Sequence, residues 1–161
     1  MRDIDSTLLR EILNYDPETG LFTWKKRIAD KTIIGKVAGC ATDRYVSIRI
    51  YGILYYAHRL VFTYIYGKCE SPEIDHINGN KKDNRLSNLR LATTSQNKQN
   101  LCKPQSSNTT GYLGVSRREK GFAAKISLLG NHKFIGLFET PEEAHQAYIE
   151  AKREFHPFGN L

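Results

Sequence analysis

The sequence predicts an α+β chain in which small sheets alternate with short helices. Three observations carry that prediction. Val46, Ile48 and Ile50 alternate with Ser47 and Arg49 before Gly52 turns the chain into ILYY, the period of a hairpin with one packed face. Around residues 74–91 two short extended segments flank a Gly/Asn/Asp-rich loop, and a helix start follows. Beyond residue 110, three apolar runs separated by glycine turns precede one amphipathic helix.

Each element has a local cause. Residues 7–13 are spaced for a short helix, followed by the turn NYDPETG and the aromatic strand LFTW. Ile74, Asp75 and His76 enter the loop HINGNKKDNR, where Asn78, Gly79, Asn80, Asp83 and Asn84 favour turns or tolerate positive φ. Leu89, Arg90 and Leu91 alternate apolar, polar, apolar, as a returning strand does. Thr93, Thr94 and Ser95 are good N-caps for a helix that carries Asn97. KPQSSNTT, residues 103–110, contains no apolar residue and is expected to be a linker.

In the last segment Leu113 and Val115, then Phe122, Ala124 and Ile126, then Phe134, Ile135 and Leu137 supply three strands, with turns at Gly121 and Gly130-Asn131. Thr140-Pro141-Glu142-Glu143 is a capped helix start. Ala144, Ala147, Tyr148 and Ala151 fall at helical spacing and should bury against the sheet. The expected division is 1–57 for a helix and hairpin region, 58–102 for a core, 103–110 for a linker and 111–161 for a C-terminal domain.

The chain has 161 residues and a net charge of +7, which suits a polyanionic partner. Lys25, Lys26, Arg27, Lys31, Lys36, Arg44, Arg49 and Arg59 face only Asp30 and Asp43 over the same stretch, whereas the last helix is acidic. The most apolar stretch, residues 53–66, is interrupted by His58 and Arg59 and is too short to span a bilayer. The opening MRDIDSTLLREIL lacks the apolar core of a signal peptide. Cys40, Cys69 and Cys102 are odd in number and form no CxxC pair, so neither a zinc site nor a disulfide framework is expected. These features suggest a cytoplasmic protein, not secreted and not membrane-bound.

Asp75, His76, Asn88 and Asn97 carry the chemistry. Asp75 offers a hard anionic oxygen and Asn97 a neutral carbonyl oxygen, a pair suited to Mg²⁺ (or Mn²⁺) that keeps its waters and shares phosphate oxygens. His76, with an ordinary pKa of about 6.5, can take a proton from water near neutral pH. Neighbouring strand residues point to opposite faces, so Asp75 and His76 need a distortion at the strand end to share one pocket.

In order and spacing, DHINGN and NLRLAT with these four residues resemble the HNH family of endonucleases, in a variant with Asn at the last position. The resemblance extends upstream to AHRLVFTYIYG, which is similar to the helix preceding the motif in phage and intron-encoded members, and YDPETGLFTWK is similar to their leader. It implies a ββα-metal core holding one divalent cation on Asp75 and Asn97, with His76 as general base. It further implies the strand-end distortion, and a role for Asn88 in bracing the loop and aiming His76. His58 could be a phosphate contact, a support for the site or a packed helix-start histidine, and Arg59 a phosphate clamp. Arg90 is a further candidate for contact with DNA.

Residues 111–159 resemble an AP2 domain, a small DNA-binding fold that also follows phage HNH nucleases. The resemblance implies that the sheet face opposite the helix docks on DNA through Arg118, Lys125 and Lys133, with Arg117 nearby. Fewer arginines than in the plant pattern, and no tryptophan on the strands, make loosely specific docking at least as consistent as base readout. A merely solvated basic face is the alternative. His132, His145 and His156 have no partner at metal-ligand spacing and read as surface residues.

The expectation is a metal-dependent endonuclease of phage or homing type acting on double-stranded DNA. It would nick as a monomer or weak dimer, with no small-molecule cofactor. The alternatives are a non-catalytic AP2-like regulator with a decayed nuclease core, and a nuclease directed at RNA.

Overall fold

The computed structural model describes residues 3–42, 44–70, 73–101, 103–128, 130–157 and 159. Asp43 and Cys102, named above for charge and cysteine spacing, lie outside them. The chain is a mixed α+β protein that forms two compact units, 1–92 and 93–161.

In the first unit, α1 (Ser6–Ile12) begins where Asp5 Oδ1 accepts the Leu8 amide at 2.9 Å. It leads into a hairpin of β1 (Leu13–Asp16) and β2 (Leu21–Trp24). The turn expected over all of NYDPETG is shorter than that. Leu13–Asp16 is a strand, because Leu13 and Tyr15 bury their side chains and packing overrides the turn preference of Asn14 and Asp16. Only residues 17–20 turn, tied by the Asp16 carboxylate to Glu18 N and Thr19 Oγ1.

β3 (Cys40–Ala41), β4 (Val46–Ile50) and β5 (Ile53–Tyr56) form an antiparallel sheet in that order. The β4–β5 hairpin is the expected one, with Ile48 opposite Tyr55 and Arg49 opposite Leu54. α2 (Ala57–Tyr66) follows directly and ends at Gly67 in the left-handed conformation, φ +87°. β6 (Glu73–His76) and β7 (Leu89–Ala92) make a two-stranded antiparallel ribbon.

One core holds these elements together. Leu9, Ile12, Phe22, Ile48, Leu60, Val61, Ile74 and Leu89 all belong to it, each such side chain contributing roughly 1.5–3 kcal/mol. The boundary expected at 57/58 therefore does not divide the molecule. The N-terminal hairpins and the β6–β7 ribbon bury the same apolar surface.

The second unit contains α3 (Thr94–Gln99), then β8 (Val115–Arg118), β9 (Gly121–Leu128) and β10 (Asn131–Phe138) in a three-stranded sheet, then α4 (Pro141–Phe155). Thr140 and Glu143 form a reciprocal capping box on α4. Ala144 and Tyr148 pack against Val115, Ala124 and Ile126, as the helical spacing predicts.

Three details of this unit differ from expectation, and a fourth concerns Lys152. Residues 103–110 are not a bare linker: Asn108 Nδ2 donates to the Tyr112 and Val115 carbonyls, and its Oδ1 accepts from Thr110 and Gly111. Lys133 does not join the open sheet face. Its partner across the ladder is the buried Ile126, and its ammonium lies 4.1 Å from the Phe155 ring centroid on α4. His156 is buried, its Nε2–H donating to Ser127 O at 2.7 Å, and His145 Nδ1 donates to Leu113 O at 3.0 Å. Lys152, in the acidic helix, is buried with its ammonium on Leu101 O at 2.8 Å. Ser116, Arg118, Lys125 and Ser127 do alternate onto the face away from α4.

Candidate active site

The β6–β7 ribbon sets Asp75 opposite Arg90 and His76 opposite Leu89. The register runs unbroken through His76. It is prolonged by Ile77 N donating to Asn88 O at 2.9 Å and Gly79 N donating to His76 O at 2.8 Å. The distortion expected at the end of β6 is therefore not seen, because the loop leaves only after these bonds have closed the ribbon. Asp75 and His76 are nonetheless both buried, at 3% and 4% exposure.

Each side chain has a defined partner. Arg90 directs Nε and Nη2 to Asp75 Oδ2 at 2.8 and 2.6 Å, a charge-assisted pair across the ladder. Any contact of Arg90 with DNA competes with this pair. His76 Nε2 lies 3.3 Å from Asn84 Oδ1, while Asn84 Nδ2 donates to Lys82 O at 3.2 Å. That second bond fixes the amide so that Oδ1 faces the ring. In the tautomer that donates Nε2–H to this oxygen, Nδ1 is the basic nitrogen. Burial lowers the pKa of His76, partly offset by the Asn84 bond and the Asp75 charge.

Asn88 braces the loop from within: its Oδ1 accepts Asn78 N at 2.9 Å and its Nδ2 donates to Asp83 O at 2.8 Å. Bracing is what the resemblance implies for Asn88, and the side chain in hydrogen-bond contact with His76 Nε2 is that of Asn84. Asn84 reads only as a turn residue in the sequence, and its role depends on distant segments. Tyr15 OH donates to Asn84 O at 2.8 Å. Gly20, φ +72°, lies so close that a Cβ there would sit 2.6 Å from Asn84 C and 2.4 Å from Arg85 N. The YDPETG leader thus holds the loop that holds His76. Asp83 is clamped by Arg85 and Asn78, and the Arg85 guanidinium brings its carboxyl down to about 2.

His58 completes the enclosure. It is 8% exposed on α2, its ring centroid 5.3 Å from that of His76 at 77° and stacked on Tyr56 at 5.6 Å. Its Nδ1 is buried without a hydrogen-bond partner. Burial, reinforced by the His76, Arg59 and Lys81 charges, pushes its pKa down to about 3. The packed reading of His58 fits this environment. Arg59 turns inward, with Nη2 3.4 Å from Cys69 O.

Asp75, His76, Asn88, Arg90, His58 and Arg59 all belong to the first unit. Asn97 belongs to the second, on α3, whose start is fixed by a capping box between Thr93 and Gln96. Arg117, Arg118, Lys125 and Lys133 also belong to the second unit. No group of three or more His, Cys, Asp or Glu side chains among the described residues could hold a metal ion.

The ribbon thus carries a buried imidazole next in sequence to a buried carboxylate, and an asparagine-braced loop closes it. The same stretch has known relatives. Residues 55–99 match the HNH endonuclease family. The HNH match spans α2, the ribbon with its loop, and α3, and leaves out the N-terminal hairpins that share its core. The chain is also 41% identical over 93 residues to an uncharacterized HNH endonuclease of Acanthamoeba polyphaga mimivirus, over 56% of this chain and 48% of that protein. It thus spans about half the length of the curated relative it matches. No solved structure gives a significant match. No helix among the described residues is long and apolar enough to cross a membrane.

Proposed function

We propose that this HNH domain makes the chain a divalent-metal-dependent DNA endonuclease that nicks one strand per binding event. The observation that carries this reading is His76, buried and in contact with Asn84 through Nε2, next in sequence to the buried Asp75. In this reading Nδ1 of His76 takes the proton of the attacking water. Asn84 receives the Nε2–H, so the imidazolium that forms keeps its orientation. Asn88 keeps the loop from reorganising while charge develops. Tyr45 and His58 line the ring, with Tyr56 stacked behind His58, and keep bulk water away from it.

The residues fit a hard cation. Asp75 supplies a buried carboxylate, and a cation there would compete with the Arg90 guanidinium for its Oδ2. By resemblance to the family, Mg²⁺ or Mn²⁺ would be held by oxygen ligands, the Asp75 carboxylate among them. When bound, the ion supplies positive charge to the phosphate and the leaving 3′ oxygen.

The second unit is proposed as an AP2-like DNA-docking module, supported by its three-stranded sheet and single helix and by Arg118 and Lys125 on the open face. Occurrence in a mobile genetic element of phage or homing type, acting in the host cytoplasm, follows from the family resemblance. Nicking of supercoiled plasmid with Mg²⁺, and its loss in chelator, tests the activity.

A further inference from the structure

We propose that the outer face of the β3–β4–β5 sheet, from the hairpin tip at Tyr51 to Tyr56, is a track that binds the sugar–phosphate backbone of duplex DNA and leads it to His76. The inference rests on the nuclease reading for its destination, while the binding surface is argued from the fold.

Tyr51 is the starting point. It is the one non-glycine described residue with positive φ, at +46°, and its ring is 57% exposed at the tip of the β4–β5 hairpin. A left-handed backbone is costly for an aromatic residue, and Asn or Gly relieves that cost in this turn type. An exposed tyrosine kept at such a position contributes nothing to the core. Strain of this kind is retained where the side chain serves a contact.

Below the tip is a depression of about 680 Å³ lined by Trp24, Lys31, Arg49, Tyr51 and Leu54. Its far wall is the loop after β2, folded back by Gly35 N donating to Trp24 O at 2.8 Å and Trp24 N donating to Lys36 O at 3.0 Å. Arg49 and Leu54 face each other across the ladder on the outer side of the sheet, with Leu54 50% exposed. Among the described residues no carboxylate forms an ion pair with Lys31, Lys36 or Arg49. Unneutralised cations around aromatic and aliphatic side chains suit a phosphate backbone with its sugars better than an acidic peptide.

Strand alternation connects this depression to the site. Leu54 and Tyr56 project to the same side of β5, about 7 Å apart along the strand. Tyr56 stacks on His58, and His58 meets His76. The exposed face from Tyr51 through Leu54 therefore ends at Tyr56, which connects through the buried His58 to the imidazole of His76, all within the first unit.

Trp24 is the only tryptophan of the chain, so its emission reports on the depression directly. The test uses the full chain in chelator, titrated with unlabelled random-sequence duplex, while anisotropy of a labelled duplex gives affinity against salt. The expected result is a change in Trp24 emission on binding. Lys31→Ala with Arg49→Ala should lower affinity and make the log–log salt slope shallower by about 0.9 for each phosphate that is no longer neutralised. Tyr51→Asn should raise the melting temperature and weaken binding together. DNA binding without any change in Trp24 emission, or with the wild-type salt slope in the double variant, overturns the track even if plasmid is cleaved. A chain that binds and responds at Trp24 but never cleaves leaves the track standing and removes the nuclease reading. Tyr51→Asn that melts higher and binds as wild type overturns the role given to Tyr51.

Discussion

Arg90 and Asp75 face each other across an antiparallel ladder, and two guanidinium nitrogens converge on the single oxygen Oδ2 of the buried carboxylate. A buried carboxylate is costly unless a cation accompanies it. The protein thus carries its own counter-charge at the position where the proposed divalent ion acts. Arg90→Ala should destabilise the fold by about 3–5 kcal/mol, as removal of one partner from a buried pair does. Mg²⁺ should restore more stability to Arg90→Ala than it adds to wild type. Urea unfolding with and without Mg²⁺ measures both, and equal stability of the two proteins would show that the pair does not support the fold.

Asn84 makes a separate prediction about catalysis. Its bond to Nε2 favours the imidazolium, while burial disfavours it more. The pKa of His76 is therefore lowered from the ordinary histidine value. Asn84→Ala should lower the rate by roughly 10–100-fold, as removal of a supporting partner does, and should move the acid limb of the pH–rate profile to still lower pH. A limb that stays in place means Asn84 does not hold His76.

Asp75, His76, Asn88 and Asn97 stand out in the sequence as polar residues set in a motif of fixed spacing, and the structure buries the first three. The β4–β5 hairpin and α4 are legible because apolar period and caps agree there. Asn84 is not, because a turn asparagine looks the same whether its amide meets water or an imidazole. Its burial is produced by Tyr15 and Gly20, far away in sequence. Lys133 is misleading for a related reason: a register shift between Phe134 and Gly136 decides which face each β10 residue takes, and local alternation cannot show it. The division at 57/58 fails because strands short on their own share a core contributed by helices on both sides.

His58 gives a stability prediction with a definite sign. Its folded pKa of about 3 lies below the ordinary value of 6.5, so between those pH values the unfolded chain holds a proton that the folded chain does not. Stability from this group is complete above pH 6.5 and is lost as pH falls toward 3, by up to about 1.4 kcal/mol per pH unit. His58→Phe keeps a ring on Tyr56 and His76 and removes the proton-binding nitrogen. Denaturant midpoints from pH 7 to pH 4 should fall less steeply for the variant, and parallel curves would refute the assignment.

Gly20 tests the link between leader and site. Gly20→Ala places a methyl against the Asn84 and Arg85 backbone at a positive φ. It should cost about 1–3 kcal/mol and also slow cleavage at temperatures where the protein remains folded. A destabilised but fully active variant would mean the leader packs without positioning Asn84.

The central claim is that His76 is the base. Supercoiled plasmid incubated with full-length protein and Mg²⁺ should accumulate nicked circles, and chelator should stop this. His76→Ala should lose roughly 10²–10⁴-fold in nicking rate while binding duplex DNA as wild type does. Nicking by His76→Ala at the wild-type rate would contradict the account.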